Sequence, residues 1–331
     1  MVCQQKKVRA LGLCSGGLDS RLAAVVLRRQ NIEVEWVTFE TPFFSALKAR
    51  QAAGLLDIPL TVKGITQPYM KMLKNPPCGY GKYMNPCLDC HTLMFTLAGK
   101  LMMERKFDFL FSGEVLGQRP MSQTRPSLRY VEKHSGFDGY ILRPLSAKRL
   151  PETIPEKEGK VDREQLLDIA GRGRKIQIKL AKEYGITDYP APAGGCLLTD
   201  KGYSTRLKDL FEHQDSCTER DLQLLKYGRH FRVSADTKII IGRTRQDNDQ
   251  IEKLYGADED TLVTVKKYPG PTALLIRKFQ EDAVSLAAAL CAGYSKAPKF
   301  TPVDIQVRSG KKNKTMRVIP ISPKEVKHLL L

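Results

Sequence analysis

The feature that most constrains this chain is the segment Ser15-Gly16-Gly17-Leu18-Asp19-Ser20, called the glycine loop below. It follows the apolar run 8–13 and precedes the apolar-periodic stretch 22–27, so the sequence predicts a strand, a tight loop and a helix. Two adjacent glycines allow successive backbone N–H groups and the positive helix end to converge on an anion. We therefore expect the loop to bind pyrophosphate. The alternative is a turn that only joins strand to helix.

The pattern around the glycine loop predicts an α/β fold. The loop lacks both the Gly-Lys-Ser/Thr ending of nucleotide-triphosphate loops and the Gly-x-Gly-x-x-Gly of dinucleotide folds. Predicted strands and helices alternate as strand 8–13, helix 18–30, strand 33–39, helix 42–56 and strand 60–62. This alternation predicts a doubly wound, mainly parallel sheet. Ligands of such sheets bind at the carboxyl ends of the strands, which here carry Ser15, Phe39, Ser112 and Gly113.

The second half of the chain has a different pattern. The sequence predicts a long helix over 163–184 and an irregular loop over 189–196, which is rich in proline and glycine. Beyond this loop, short strands and helices are mixed, and a hairpin is predicted near the end. We therefore expect two domains, 1–200 and 201–331, the second a smaller α+β domain.

Charge points to a polyanionic partner. The 331 residues include 54 Lys and Arg against 36 Asp and Glu, a net charge of +18, and residues 201–331 hold 24 of the basic and 16 of the acidic ones. Both halves are therefore basic, which favours nucleic acid as a partner, although a soluble basic protein without such a partner gives the same composition. The sequence contains no membrane-length apolar run or signal segment, so we expect a cytosolic protein without membrane contact.

Three of the eight cysteines stand out by their context. Cys87 and Cys90 begin a predicted helix after Asn85-Pro86, and Cys196 follows two glycines in the predicted loop. Three thiolates can hold an iron–sulfur cluster with one open iron, where an exogenous sulfur could bind. Two other interpretations remain: a persulfide and disulfide pair formed by Cys90 and Cys196, or a structural zinc site that includes His91.

The motifs together resemble a known family. The glycine loop, Asn85 to Cys90, Phe111 to Thr124, Ile141 to Leu145 and Gly194 to Cys196 resemble, in order and spacing, the PP-loop domain of the tRNA 4-thiouridine synthetases and, more distantly, the tRNA 2-thiouridylases. The resemblance covers about residues 6–200, and its most specific part is the Gly-Glu-x-Leu-Gly-Gln block that starts at Gly113.

The resemblance implies an adenylating site. ATP would bind with Mg²⁺, its pyrophosphate end on Ser15, Gly16, Gly17, Asp19 and Ser20, while Gly113 and Gln118 shape the adenylation site. Cys87, Cys90 and Cys196 match the cysteines that hold a [4Fe-4S] cluster in cluster-dependent thiolases. Asp19 would organise the magnesium or cap the helix. Asp89 would assist proton transfer or only favour the helix dipole, and His91 would donate a proton or be a polar surface residue.

The domain beyond residue 200 resembles the NFACT-R RNA-binding domain. The resemblance rests on Ile239 to Asp249 and Lys266 to Pro271. Basic side chains in glycine-punctuated loops can contact phosphates, and a tyrosine beside them can stack on a base. The predicted RNA-binding residues are Arg243, Arg245, Lys266, Lys267 and Tyr268. A solvated basic face is the alternative.

These features predict an ATP-dependent tRNA sulfurtransferase that forms AMP and pyrophosphate. The expected partners are tRNA and a sulfur donor, either sulfide or sulfur derived from a cysteine desulfurase, and a homodimer is compatible with the sequence. An amidating enzyme with the same loop, in which the cysteines are incidental, is one rival. A non-catalytic RNA-binding protein whose cluster senses oxidants is another.

Overall fold

The computed structural model describes residues 7–191, 195–276 and 281–331. The chain divides into two compact units, with the boundary between Thr199 and Asp200. Among the described residues, no helix combines the length and the apolar character that a bilayer crossing requires.

The first unit is a five-stranded parallel sheet in the order β3-β2-β1-β4-β5. The strands are β1 (Arg9–Leu13), β2 (Glu33–Glu40), β3 (Leu60–Gly64), β4 (Phe109–Ser112) and β5 (Ile141–Leu142). The helices are α1 (Leu18–Arg28), α2 (Leu47–Leu56), α3 (Thr66–Lys74), α4 (Cys87–Glu104), α5 (Arg125–Ser135), α6 (Ile154–Lys157) and α7 (Lys175–Glu183). This order confirms the doubly wound α/β prediction.

Burial explains why this sheet forms. The central strands β1 and β4 are almost fully buried, which is typical of parallel strands covered by helices on both faces. One face packs against α1, where Leu22 and Leu27 are inaccessible to solvent and belong to the same apolar cluster as Trp36. The carboxyl ends of β1 and β4 therefore sit on a rigid, closely packed base.

The second unit is an antiparallel sheet in the order β11-β10-β8-β9-β7-β6. Its elements are α8 (Lys201–His213), α9 (Glu219–Leu224), β6 (Arg229–Arg232), β7 (Lys238–Ile241), α10 (Arg245–Lys253), β8 (Thr261–Val265), β9 (Thr272–Ile276), α11 (Glu281–Gly293), β10 (Val303–Ser309) and β11 (Lys312–Val318). Residues of α11 share one apolar cluster with one face of the sheet, and Ile251 of α10 belongs to a cluster on the other. The predicted smaller α+β domain is thus confirmed.

The predicted helix over 163–184 is wrong. Arg163–Gln165 forms a single 3-10 turn, and α7 begins only at Lys175. The segment between them is held in extended pairings, in which Ile169 N–H donates to Leu145 O at 2.8 Å. Gly171 then adopts φ +88°, which no right-handed helix contains. Part of the predicted loop 189–196 lies outside the described residues.

Candidate active site

The glycine loop connects the central strand β1 to α1. Gly16 N–H points at Cys14 Sγ at 3.3 Å, and Gly17 N–H donates to Ser15 Oγ at 3.4 Å. Beneath the loop, the almost fully buried Arg21 donates from Nε to Gly16 O at 3.2 Å. Ser20 is also buried, and its hydroxyl donates to Gly17 O at 2.9 Å, whereas Ser15 is exposed. Arg21 and Ser20 therefore hold the backbone of the loop on its buried side, and the side that carries Ser15 is open to solvent.

The two glycines have different structural reasons. Gly16 has φ +74°, and a Cβ there would lie 2.2 Å from the carbonyl carbon of Lys48 in α2. Gly17 is extended, and the nearest heavy atom to its Cβ position is Ser15 Oγ at 3.4 Å. Packing therefore requires a glycine only at position 16. At Gly17, the missing side chain leaves the loop surface free for a ligand.

Asp19 joins the loop to α7 through a chain of polar side chains. Its Oδ2 accepts a hydrogen bond from Gln118 Nε2 at 2.7 Å, and Gln118 Oε1 accepts one from Gln177 Nε2 at 2.9 Å. Arg174 Nη2 lies 3.7 Å from the other carboxylate oxygen of Asp19, Oδ1. The N-cap of α1 is Gly17, with no capping side chain, so Asp19 does not cap the helix. Sequence reasoning missed Arg174 and Gln177, because their partners Asp19 and Gln118 lie far away in the chain.

The other predicted nucleotide-site residues lie around the same sheet edge. A Cβ on Gly113 would be 2.4 Å from the carbonyl carbon of Asp19, so the glycine is required where the chain after β4 passes the first turn of α1. Phe39 lies at the end of β2 and is only 3% exposed. Gly113 and Gln118 therefore contact the glycine loop region directly. Phe39 instead belongs to the buried part of the sheet that supports the loop.

The three predicted cysteines lie close to one another. Cys87 and Cys90 occupy the first turn of α4. The chain just after Cys196 is held by a 3.0 Å hydrogen bond from Leu197 N–H to Phe43 O. Burial, together with the neighbouring Cys196 and Cys87, raises the pKa of the Cys90 thiol to about 12. Burial likewise raises the pKa of Cys196 to about 11, with Cys87 acting in the same direction. The three sulfurs therefore share one electrostatic environment.

Tyr69 of α3 lies against this trio. Its hydroxyl donates a hydrogen bond to Cys90, and all three cysteines influence its titration. Its ring packs on Phe43 and Phe44, with centroid distances of 5.6 and 5.4 Å, and the residue is 1% exposed. Tyr69 thus donates to Cys90 from a buried aromatic cluster, a contact that sequence reasoning did not predict.

The described residues contain no preformed site for a single metal ion. Within the part of the chain that the structure describes, no three His, Cys, Asp or Glu side chains converge enough to hold one ion. An iron–sulfur cluster imposes a different requirement, because its thiolates bind different irons and need not meet at one point. Cys87, Cys90 and Cys196 lie near enough to influence one another, and Cys90 also accepts a hydrogen bond from Tyr69.

His91 belongs to a buried charged network. Its Nδ1 lies 2.8 Å from Glu114 Oε1, and Glu114 Oε2 accepts from Arg143 Nε at 2.9 Å. Arg143 also pairs with Glu132. Burial alone would raise the pKa of Glu114, but Arg143 and His91 lower it to about 2. His91 is thus engaged by a carboxylate, and the zinc interpretation finds no support in the described residues.

Asp89 has a structural contact of its own. It is 5% exposed, and its Oδ2 accepts a hydrogen bond from Cys78 N–H at 3.0 Å. Asp89 therefore anchors the loop that precedes α4. Cys78 itself is exposed, while Cys14 is buried beneath the glycine loop.

The predicted RNA-binding residues of the second unit lie at one end of its sheet. Ile241 pairs with Ala273, and Thr264 pairs with Thr272, so the loops after β7 and β8 share that end. Arg243 donates to Asp247 Oδ2 at 3.2 Å, and Lys266 Nζ donates to Thr315 Oγ1 at 3.2 Å. All five predicted residues are exposed: Arg243, Arg245, Lys266, Lys267 and Tyr268.

Comparison with protein families gives two matches. Residues 5–150 match the family described as "Thiamine biosynthesis protein (ThiI)", and residues 228–330 match "NFACT protein RNA binding domain". These matches confirm the resemblance that the sequence motifs indicated for both parts of the chain.

Curated relatives named "Probable tRNA sulfurtransferase" match the first unit. The relative from Ureaplasma urealyticum is 29% identical over 147 residues, which is 41% of this chain and 36% of the relative. That from Bacillus licheniformis is 28% identical over 163 residues, 46% of this chain and 38% of the relative. The chain therefore spans less than half the length of these relatives. A solved 4-thiouridine synthetase–RNA complex with bound ATP is 22% identical and covers 53% of this chain and 50% of its own, with a TM-score of 0.34.

Proposed function

We propose that this relative of the PP-loop tRNA sulfurtransferases transfers sulfur to a uridine of tRNA in an ATP-dependent reaction. The observation that carries the proposal is the grouping of Cys87, Cys90 and Cys196 in the same unit as an open glycine loop. The names of the curated relatives and the two family matches support it.

In the first half-reaction the protein activates a uridine oxygen. Mg-ATP binds with its β- and γ-phosphates on the glycine loop, where backbone N–H groups and the N-terminus of α1 offset their charge. A uridine carbonyl oxygen then attacks the α-phosphorus of ATP. The bond between the α-phosphorus and the oxygen that bridges it to the β-phosphate breaks, and pyrophosphate leaves. Asp19, held by Gln118 and flanked by Arg174, is positioned to organise the magnesium ion.

In the second half-reaction sulfide attacks the adenylated carbon and AMP leaves with the former carbonyl oxygen. Cys87, Cys90 and Cys196 would hold a [4Fe-4S] cluster, which would supply a binding position for the incoming sulfur. Tyr69 holds Cys90 through its hydroxyl, and the charged network around Glu114 fixes His91 beside it. A persulfide relay through Cys90 and Cys196 is the competing route to the same product.

The second unit would hold the RNA. Basic side chains at one end of its sheet neutralise phosphates, and Tyr268, 38% exposed, offers a ring for stacking.

The proposal is tested in the source organism by deleting the gene and analysing tRNA nucleosides by mass spectrometry. We expect one thiouridine to disappear and to return with wild-type protein or Cys217→Ser. Cys196→Ala should not restore it. An unchanged thiouridine profile in the deletion strain would contradict the proposal.

A further inference from the structure

A loop directly before the three-cysteine site combines features of an RNA-contacting surface. Residues 75–86, called the cysteine-flanking loop below, connect α3 to α4 and end where Cys87 begins the helix. Asn85 Nδ2 lies 3.3 Å from Cys87 Sγ, so the loop is in contact with one of the sulfurs. Whatever binds on this loop lies beside the site of sulfur transfer.

The loop is held in shape by its own hydrogen bonds. Tyr80 hydroxyl donates to Leu73 O at 2.6 Å, and Cys78 N–H donates to the buried Asp89 at 3.0 Å. Gly81 N–H donates to Asn85 O at 2.9 Å, and Tyr83 N–H donates to Asn85 Oδ1 at 3.1 Å. A partner would therefore meet a preorganised surface and would not need to order the loop.

Despite these anchors, the tip of the loop is open to solvent. Residues 77–80 and Lys82 are exposed, and Tyr80 is 39% exposed although its hydroxyl is bonded. Lys82 Nζ lies 5.5 Å from the centre of the Tyr83 ring. An aromatic ring held by its hydroxyl end, with a lysine two residues away, can stack on a base while the ammonium contacts a phosphate.

The charge of the surrounding segment has one sign. Residues 58–88 contain four lysines and no aspartate or glutamate. Two of these lysines, Lys71 and Lys74, lie in the last turn of α3, immediately before the loop. This segment therefore attracts an anionic polymer and contributes no acidic side chain of its own.

We propose that the cysteine-flanking loop binds the RNA strand next to the target uridine, with Tyr80 stacking on a neighbouring base and Lys82 contacting the backbone. The inference rests on the proposed function, because that function supplies RNA as the substrate. It assigns to the first unit an RNA contact separate from the basic end of the second unit.

The test measures binding of dye-labelled, unmodified tRNA to the full-length protein by fluorescence anisotropy at several salt concentrations. Tyr80→Leu should raise the Kd about 5-fold or more, since one base–aromatic stack contributes about 1–3 kcal/mol. Lys82→Ala should weaken binding and reduce the dependence of log K on log salt by about 1. Two variants serve as controls. Tyr80→Phe keeps the ring and loses only the hydrogen bond to Leu73 O, and Lys179→Ala removes an exposed lysine elsewhere on the first unit. Both should bind within about 2-fold of wild type.

Melting curves of each variant identify a loss of folding, and Tyr80→Phe separates the ring from its hydrogen bond. Wild-type affinity in a folded Tyr80→Leu protein would overturn the inference, while tRNA thiolation by the wild type would still stand. The reverse pattern, Tyr80-dependent RNA binding without any thiouridine product, would support the loop contact and refute the proposed function. Absence of tRNA binding by the wild type would overturn both.

Discussion

At the scale of single residues, the charge on Glu114 links the site to stability. Its pKa is lowered from 4.5 to about 2 in the folded protein, so its contribution is fully present above pH 4.5 and is lost as the pH falls toward 2. The shift corresponds to roughly 3 kcal/mol. Glu114→Gln removes this contribution and leaves Arg143 with Glu132 as its charged partner.

We expect Glu114→Gln to unfold with about 3 kcal/mol less free energy than wild type at pH 7. The difference should shrink as the pH falls from 4.5 toward 2, because in this range Glu114 is protonated in the unfolded chain but still ionised in the folded protein. Urea unfolding followed by the fluorescence of Trp36, the single tryptophan, reports on this unit. A difference that stays constant down to pH 2.5 would contradict the assignment.

Tyr69 provides a second residue-level prediction. Tyr69→Phe retains the ring packing on Phe43 and Phe44 but removes the hydroxyl that donates to Cys90. We expect a loss of about 1 kcal/mol in unfolding free energy. In anaerobically reconstituted protein that holds the proposed [4Fe-4S] cluster, the iron content should be unchanged, and the reduction potential should become more negative, because a hydrogen bond to sulfur stabilises the reduced cluster. An unchanged potential in spectroelectrochemical titration would argue against the contact.

At the scale of elements, the two glycines of the glycine loop have different roles: Gly16 is required for packing and Gly17 for ligand binding. Gly16→Ala should cost several kcal/mol of stability, since its Cβ would meet the backbone of α2 at 2.2 Å and its φ is +74°.

Gly17→Ala should change stability by less than about 0.5 kcal/mol, because nothing lies closer than 3.4 Å to the position of the added Cβ. Even so, calorimetry should show weaker Mg-ATP binding for Gly17→Ala, because the added methyl group covers the open loop surface. Wild-type ATP affinity in that variant would contradict the assigned phosphate site.

The helices and strands differ in how well they could be predicted from the sequence. Strand β2 and the first residue of helix α1 agree with their predicted positions, since apolar runs beside turn residues identify them directly. Helix α5 was missed because most of its residues are polar, although the Thr124 cap, the early proline and the left-handed Gly136 at its end are local signals. The predicted helix over 163–184 failed because pairings with Pro144 and Leu145 override local propensity.

Across the whole molecule, the two units would each contribute RNA contacts. Lys267→Ala and Arg245→Ala should each weaken tRNA binding and lower the slope of log K against log salt by about 1. Lys208→Ala, on the exposed side of α8, serves as the matched control. If the basic end of the sheet is only a solvated face, the two variants will keep the wild-type slope.

At this scale the sequence predicted the architecture but only part of the site. The glycine loop and the three cysteines were identifiable because their residue types and spacing carry chemistry that few other arrangements need. Arg174 and Gln177 were not, because their contacts to Asp19 and Gln118 join residues far apart in the chain. Tyr69 was hidden for the same reason, since only the folded chain brings α3 to Cys90.

The most direct measurement of the central claim is a complete reaction with purified components. Anaerobically reconstituted protein is mixed with Mg-ATP, sulfide and unmodified tRNA, and nucleosides, AMP and pyrophosphate are quantified together. We predict one thiouridine for each AMP and pyrophosphate formed, with no thiouridine from Cys87→Ser, Cys90→Ser or Cys196→Ser. Thiouridine formation that survives loss of these cysteines, or AMP formation without any thiouridine, would contradict the account.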